Sequence, residues 1–221
     1  MPVGNITIYP SIDGYVKRQA EGSWDLARAS ATGDAASSSS TVSSTALRAS
    51  LTGPGRGSGY YVSRSFFSFD TRTISNTPES AIIRVVGYVT TAGDPIYCVK
   101  ATSDIEAVIT TADFTSIEGW SRINDNTSNV TYYADAISSW STGANNFSLN
   151  SQALVDIAGG NSKFNICLLT ERDLDDSGGD SPPLPSADYS GVSFVNHSTL
   201  SYRPFLLITQ QDDSVFFGAN F

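Results

Sequence analysis

Few residues in this 221-residue chain carry side chains that could do chemistry: one histidine, two cysteines and twenty-two acids. His197, in FVNHSTL, would have to serve any Ser-His-Asp triad. No GxSxG elbow stands in the chain to present a nucleophile, so His197 reads as a surface residue in a turn. Glycoside cleavage needs two carboxylates at a set separation, which distance along a chain does not define. Asp135 and Asp156 read as acids flanking short elements. The glycine-rich stretch 53–59, GPGRGSG, lacks the Lys-Ser/Thr that completes a phosphate-binding loop. No catalytic residue is assigned, and the chain reads as non-enzymatic.

Two binding chemistries have better support. Asp173-Leu-Asp175-Asp176-Ser177-Gly178 matches the first half of a calcium loop, in which oxygens at alternate positions wrap the ion and Gly allows the turn. Asp173, Asp175 and Ser177 are the candidate ligands. The twelfth position is Leu184 instead of Glu, so the bidentate ligand is missing, and a solvated acidic loop is the plainer reading. Trp24, Trp120 and Trp140, with Tyr60, Tyr61, Tyr132 and Tyr133, stand in or beside loops, where exposed rings could stack on sugars. The plainer reading there is that each indole caps one end of the core. Cys98 and Cys167 sit in apolar, strand-like runs and read as buried thiols, with no CxxC spacing for zinc.

Composition narrows the class. Only 16% of residues are charged, and a net charge of -9 is a poor match to a phosphate backbone, so nucleic acid is not expected as a partner. No run of about 18 apolar residues exists to span a membrane. The opening MPVGNITIYP has no basic segment followed by an apolar stretch, so no secretory signal is expected. Ser and Thr supply much of the polarity, as in surface and virion proteins.

The elements that must position these residues are mostly strands. Val-, Ile-, Tyr-, Phe- and Thr-rich runs recur at 5–9, 13–17, 60–69, 81–90, 96–101, 163–170, 191–195 and 203–209, bounded by Gly, Pro, Asn and Asp. In SRSFFSFDT, Phe67 and Phe69 take one face and Phe66 the other. Asp70 after it is placed to accept backbone N–H groups and close the strand. Arg64 and Arg203 precede apolar runs and read as solvated at the sheet rim. Pro204 belongs at a strand start or edge. Helix signals are short: SQALVDIA at 151–158, stopped by Gly159-Gly160, and a capping-box pattern from Ser103 to Glu106. Residues 35–59 read as one long mobile Ser/Gly-rich loop, 124–129 as a polar turn and 174–185 as a surface loop. The expected fold is all-β: a single jelly-roll-like sandwich over 1–209, with long loops and one or two short helices.

The order DGYV (13–16), RSFFSFDTRTI (64–74), SAIIRVVGYV (80–89), NNFSLNSQALVDIAGGNSKFNICLLTERD (145–173) and YRPFLLIT (202–209) resembles DNRLRE-type β-sandwich modules of phage structural and bacterial surface proteins. The resemblance spans about residues 5 to 209. It implies a sandwich with a structural or binding role and no reaction. Residues 210–221 extend beyond it and carry Phe216, Phe217 and Phe221, which suit an arm that folds back or docks on a neighbouring subunit. The expectation is a virion or extracellular-surface structural protein, such as a phage capsid-decoration or fibre-like subunit. Its partners would be copies of itself, as a trimer, and other virion proteins. A carbohydrate-binding module or adhesin is the alternative.

Overall fold

The computed structural model describes residues 4–20, 23–51, 59–91, 93–102, 105, 107–159, 162–177 and 189–210. Among these residues eleven strands form, all paired antiparallel. They are β1 (Gly4–Ile8), β2 (Pro10–Ala20), β3 (Ala35–Ser37), β4 (Val42–Leu51), β5 (Tyr60–Asp70), β6 (Ser80–Thr90), β7 (Ile96–Lys100), β8 (Ala144–Ser148), β9 (Lys163–Thr170), β10 (Tyr189–Ser193) and β11 (Phe205–Gln210). Three short helices join them: α1 (Trp24–Arg28), α2 (Ser151–Ala158) and α3 (Glu171–Leu174). The chain is therefore an all-β sandwich.

The first sheet runs β1-β11-β6-β8. The second is built around β5, which pairs with β2 along its whole length on one edge. On its other edge β5 divides: Tyr60–Ser63 pairs with β4, and Ser65–Asp70 pairs with β9, which carries β7 beyond it. The β3 strand borders β2, and β10 joins β4 to the far half of β6, stitching the two sheets along one side. On the opposite side, residues 130–137 bridge to β7 at Val99 and Ile96, and Ala134 bridges to Leu149 just after β8.

Period-two alternation decides what lies where. Phe67, Phe69, Ile83, Val85, Cys98, Phe147, Ile166, Leu168, Leu206 and Ile208 point between the sheets and form the inner layer. The opposite residues of the second sheet, among them Val16, Val62, Phe66, Val99, Cys167 and Leu169, form a second layer with Trp24, Phe114 and Leu174. Thus β5 is buried on both faces, which explains its run of aromatic residues.

Helix ends follow local chemistry. Asn150 caps α2 by accepting the Ala153 N–H at 3.0 Å, and Ser23 caps α1 by accepting the Leu26 N–H at 3.3 Å. Pro204 lies just before β11, where its missing N–H removes no ladder bond. Gly14 approaches β3 so closely that a Cβ there would stand 2.1 Å from the Ser37 carbonyl oxygen.

Two expectations need correction. Residues 35–51 are not a loop: they form β3 and β4, because cross-strand ladders to β2, β5 and β10 hold a Ser-rich stretch that has little local preference of its own. Of the expected mobile loop, 52–58 lie outside the described residues. Leu174, expected on a surface loop, is buried in the second layer. The expected cap at Ser103 and Glu106 also falls outside the described residues.

Candidate functional site

Among the described residues, a buried cluster of charges lies within the second layer. Arg64 projects from β5 into the second layer and is 0% exposed. Its Nε and Nη2 donate to Asp173 Oδ2 and Oδ1 at 2.7 and 2.8 Å, a bidentate pair, and Nη1 donates to the Phe114 carbonyl. The guanidinium lies between two rings, 4.1 Å from the Phe114 centroid and 4.0 Å from that of Trp120. Beside it, Arg28 at the end of α1 donates to the Asp173 and Asn124 carbonyls at 2.7 and 2.9 Å. Its Nη1 lies 3.3 Å from Asp176 Oδ2, and Trp24 Nε1 donates to Asp176 Oδ1 at 2.8 Å. Burial pushes the Arg28 guanidinium down and the Asp176 carboxyl up from their ordinary values. Two arginines and two aspartates balance in charge, and together they tie β5, α1, α3 and the 111–124 region into one unit. Arg28, Arg64 and Asp173 are buried and act as a clamp, with Asp176 at its partly exposed edge.

This clamp corrects several sequence readings. Arg64 is not solvated, since its partner stands 109 residues away in sequence. Asp173 is 1% exposed with both oxygens on Arg64, so the first candidate calcium ligand faces inward. Asp175 accepts the Ser177 N–H at 3.0 Å, a local turn that needs no ion. Among the described residues, no three His, Cys, Asp or Glu side chains gather as a metal site. Trp24 and Trp140 are 2% and 7% exposed, in separate layers, and Trp120 is covered on one face by Arg64. Trp24 and Trp140 are thus packed into separate layers of the core, and Trp120 lies half-buried against the second.

The remaining candidates are placed as follows. His197 sits in a turn, accepts the Thr199 N–H on Nδ1 at 3.1 Å and stacks on Tyr202 at 4.9 Å. Cys98 and Cys167 are free, buried thiols with pKa values pushed up by burial. Asp70 accepts the Arg72 N–H at 3.2 Å, the turn-closing role expected of it, and hydrogen bonds from Arg72 hold its carboxyl down near about 2. Phe216, Phe217 and Phe221 lie outside the described residues. A groove of about 390 Å³ beside Asp70, Arg72 and Lys163 adjoins one of about 520 Å³ beside Thr110 and Asp113. Asp113 there is engaged by the Thr110 N–H at 2.7 Å.

Asp13, in the DGYV strand, was missed as a special residue. It is 2% exposed, pairs with Phe67 in the ladder and accepts only the Val195 N–H, at 2.7 Å. Its second oxygen is buried with no hydrogen-bond partner among the described residues. Burial lifts its carboxyl to about 7, partly opposed by that one bond.

The first sheet differs from the second on its outer side. Outward residues there make cross-strand rows: Thr7, Leu207, Ile82 and Ser148 in one, Phe205, Arg84 and Asn146 in the next. Tyr9 packs edge-on against Phe205 at 6.4 Å and is 38% exposed. None of the described helices lies on this face; its apolar centre is half-buried and rimmed by Asn5, Thr7, Asn146 and Ser148. Arg84 sits in that centre with its guanidinium 5.5 Å from the Phe205 ring, and its Nε is buried with no hydrogen-bond partner among the described residues. Nothing in the sequence announces this open face, because which strand faces stay uncovered depends on how distant segments pack.

Among the described residues, no helix is long and apolar enough to cross a membrane. In comparisons with known proteins, no family model matches the chain and no curated protein matches it.

Proposed function

We propose that this chain is a non-enzymatic structural subunit of a virion or comparable surface assembly, built in the manner of a phage capsid-decoration or fibre-like protein. The observation that carries the reading is the contrast between the sandwich's two outer sides. One is sealed by a neutral buried clamp, and the other presents an apolar centre with a polar rim, the anatomy of an interface between subunits. The resemblance to DNRLRE-type modules supports the same class. The partners are further copies of the chain, in a trimer, and other proteins of the particle. A glycan-binding role loses its anchors once Trp24 and Trp140 are buried.

Sedimentation velocity on the full chain tests this. Reversible association to a trimer is the expected result, together with a blank glycan array. A chain that stays monomeric at its highest soluble concentration would overturn the proposal, and glycan binding by that monomer would favour the adhesin alternative.

A further inference from the structure

Resting on the assembly reading, we infer that the outer face of the first sheet is the dock for residues 212–221 of a second copy of this chain. Three observations point to that occupant. The face combines apolar and cationic chemistry in one place: Ile82, Leu207 and Phe205 lie beside Arg84, which meets a ring but, among the described residues, no acid. The segment after β11 has the complementary order, Asp212-Asp213 followed by Ser-Val-Phe-Phe-Gly-Ala-Asn-Phe. Read as a strand, it places Val215, Phe217, Ala219 and Phe221 on one side, an apolar stripe led by two acids.

Reach decides between the same copy and another. Arg84 pairs with Phe205 at the start of β11, whereas the segment departs from Gln210 at its end. Those five steps along the strand cover roughly 17 Å. Asp213, three residues beyond Gln210, extends at most about 10 Å, and reversing direction shortens that further. A chain's own acid pair is therefore badly placed for its own Arg84. A neighbour's segment approaches from outside without that restriction. The acids then answer the unpaired guanidinium in a site partly shielded from water, and the aromatic residues cover Leu207 and Ile82.

The test is sedimentation velocity on the full chain, Arg84→Glu, Arg84→Gln, a chain ending at Gln210, the pair Asp212→Arg with Asp213→Arg, and the combined charge swap. Circular dichroism and thermal midpoints confirm that each variant is folded. Each single disruption is expected to weaken self-association at least tenfold, and the combined swap to restore it. Mixing Arg84→Glu with the truncated chain is the decisive arm. One retains a segment and the other an intact face, so the mixture forms one-to-one dimers although neither component self-associates. Self-association that survives truncation and Arg84→Glu overturns this docking while leaving the assembly reading intact. Variants that lose stability without any association in the mixture also overturn it, because they place the segment on its own copy. A full chain that is monomeric throughout overturns the assembly reading itself.

Discussion

The two outer sides of the sandwich solve the same problem differently. Each sheet has an inward face filled by the shared aromatic and aliphatic layer, and each has an outward face still carrying apolar residues. The second sheet covers its outward face from within the chain, using α1, the 111–120 region and Leu174, with charges brought along as a compensated set. The first sheet leaves Ile82, Arg84, Phe205 and Leu207 half-buried under no described helix. A face finished intramolecularly adds to folding stability, whereas a face left half-finished is available for association. The same physical force, removal of apolar area from water, serves stability on one side and assembly on the other.

Breaking the clamp is the most severe way to disturb this contrast. Asp173→Ala leaves the buried Arg64 without its acid, and Arg64→Ala leaves Asp173 only the longer 3.8 Å contact to Arg28; each is expected to cost about 3–5 kcal/mol, read from urea denaturation. Arg64→Met with Asp173→Asn removes the pair together, leaves Arg28 to Asp176, and is expected to recover most of that loss. A double variant as unstable as either single one would show that the ions themselves, and not their mutual compensation, hold the layer.

Matched truncations on the two faces come next. Leu169, fully buried in the outer layer of the second sheet, is expected to lose about 2–5 kcal/mol on change to Ala. Leu207→Ala on the open face is expected to lose less, about 1–2 kcal/mol of monomer stability, since part of its side chain is already in water. Equal losses at the two sites would erase the distinction between a sealed face and an open one.

The inner layer sharpens the comparison through pH. Asp13 holds its proton up to about pH 7 in the fold, against an ordinary value of 3.8. Because the folded value is the higher one, its contribution is fully favourable below the unfolded pKa and is lost as pH rises from about 4 to 7. Asp13→Asn keeps an acceptor for Val195 and cannot ionise, so the variant is expected to gain on the native chain across that window by roughly 2–4 kcal/mol. Denaturant midpoints that run parallel from pH 4 to 8 would sink this. The outer layer balances its carboxylates with arginines, while the inner layer keeps its one carboxyl neutral by retaining the proton.

Most of the strand framework was legible in the sequence because its signals are local. AIIRVVGYV and SFFSF announce central strands by their apolar density, and Gly159 ends α2 where the glycine stop was read. The failures have a common cause. In AASSSSTVSSTA the small polar residues say nothing about pairing, and only contact with β5 and β10 makes β4 a strand. The β8 strand, ANNFS, escaped for the same reason: its burial rests on Phe147 and Asn145 alone, inside a polar stretch. At the site level, Arg64 looked like a rim residue because nothing near it in sequence announces Asp173. For the indoles, the sequence left open whether they cap the core or face a ligand, and the packing of distant segments buries Trp24 and Trp140.

The two cysteines stand on neighbouring strands yet on opposite sides of one sheet, Cys98 toward the inner layer and Cys167 toward the outer. They cannot meet as a disulfide while the sheet is intact, and an oxidant has nothing to link. Since burial also keeps both thiols protonated, reagents reach them only when a layer opens. The molecule thus carries two timers, one per layer, and their labelling rates would reveal which side of the sheet comes apart first.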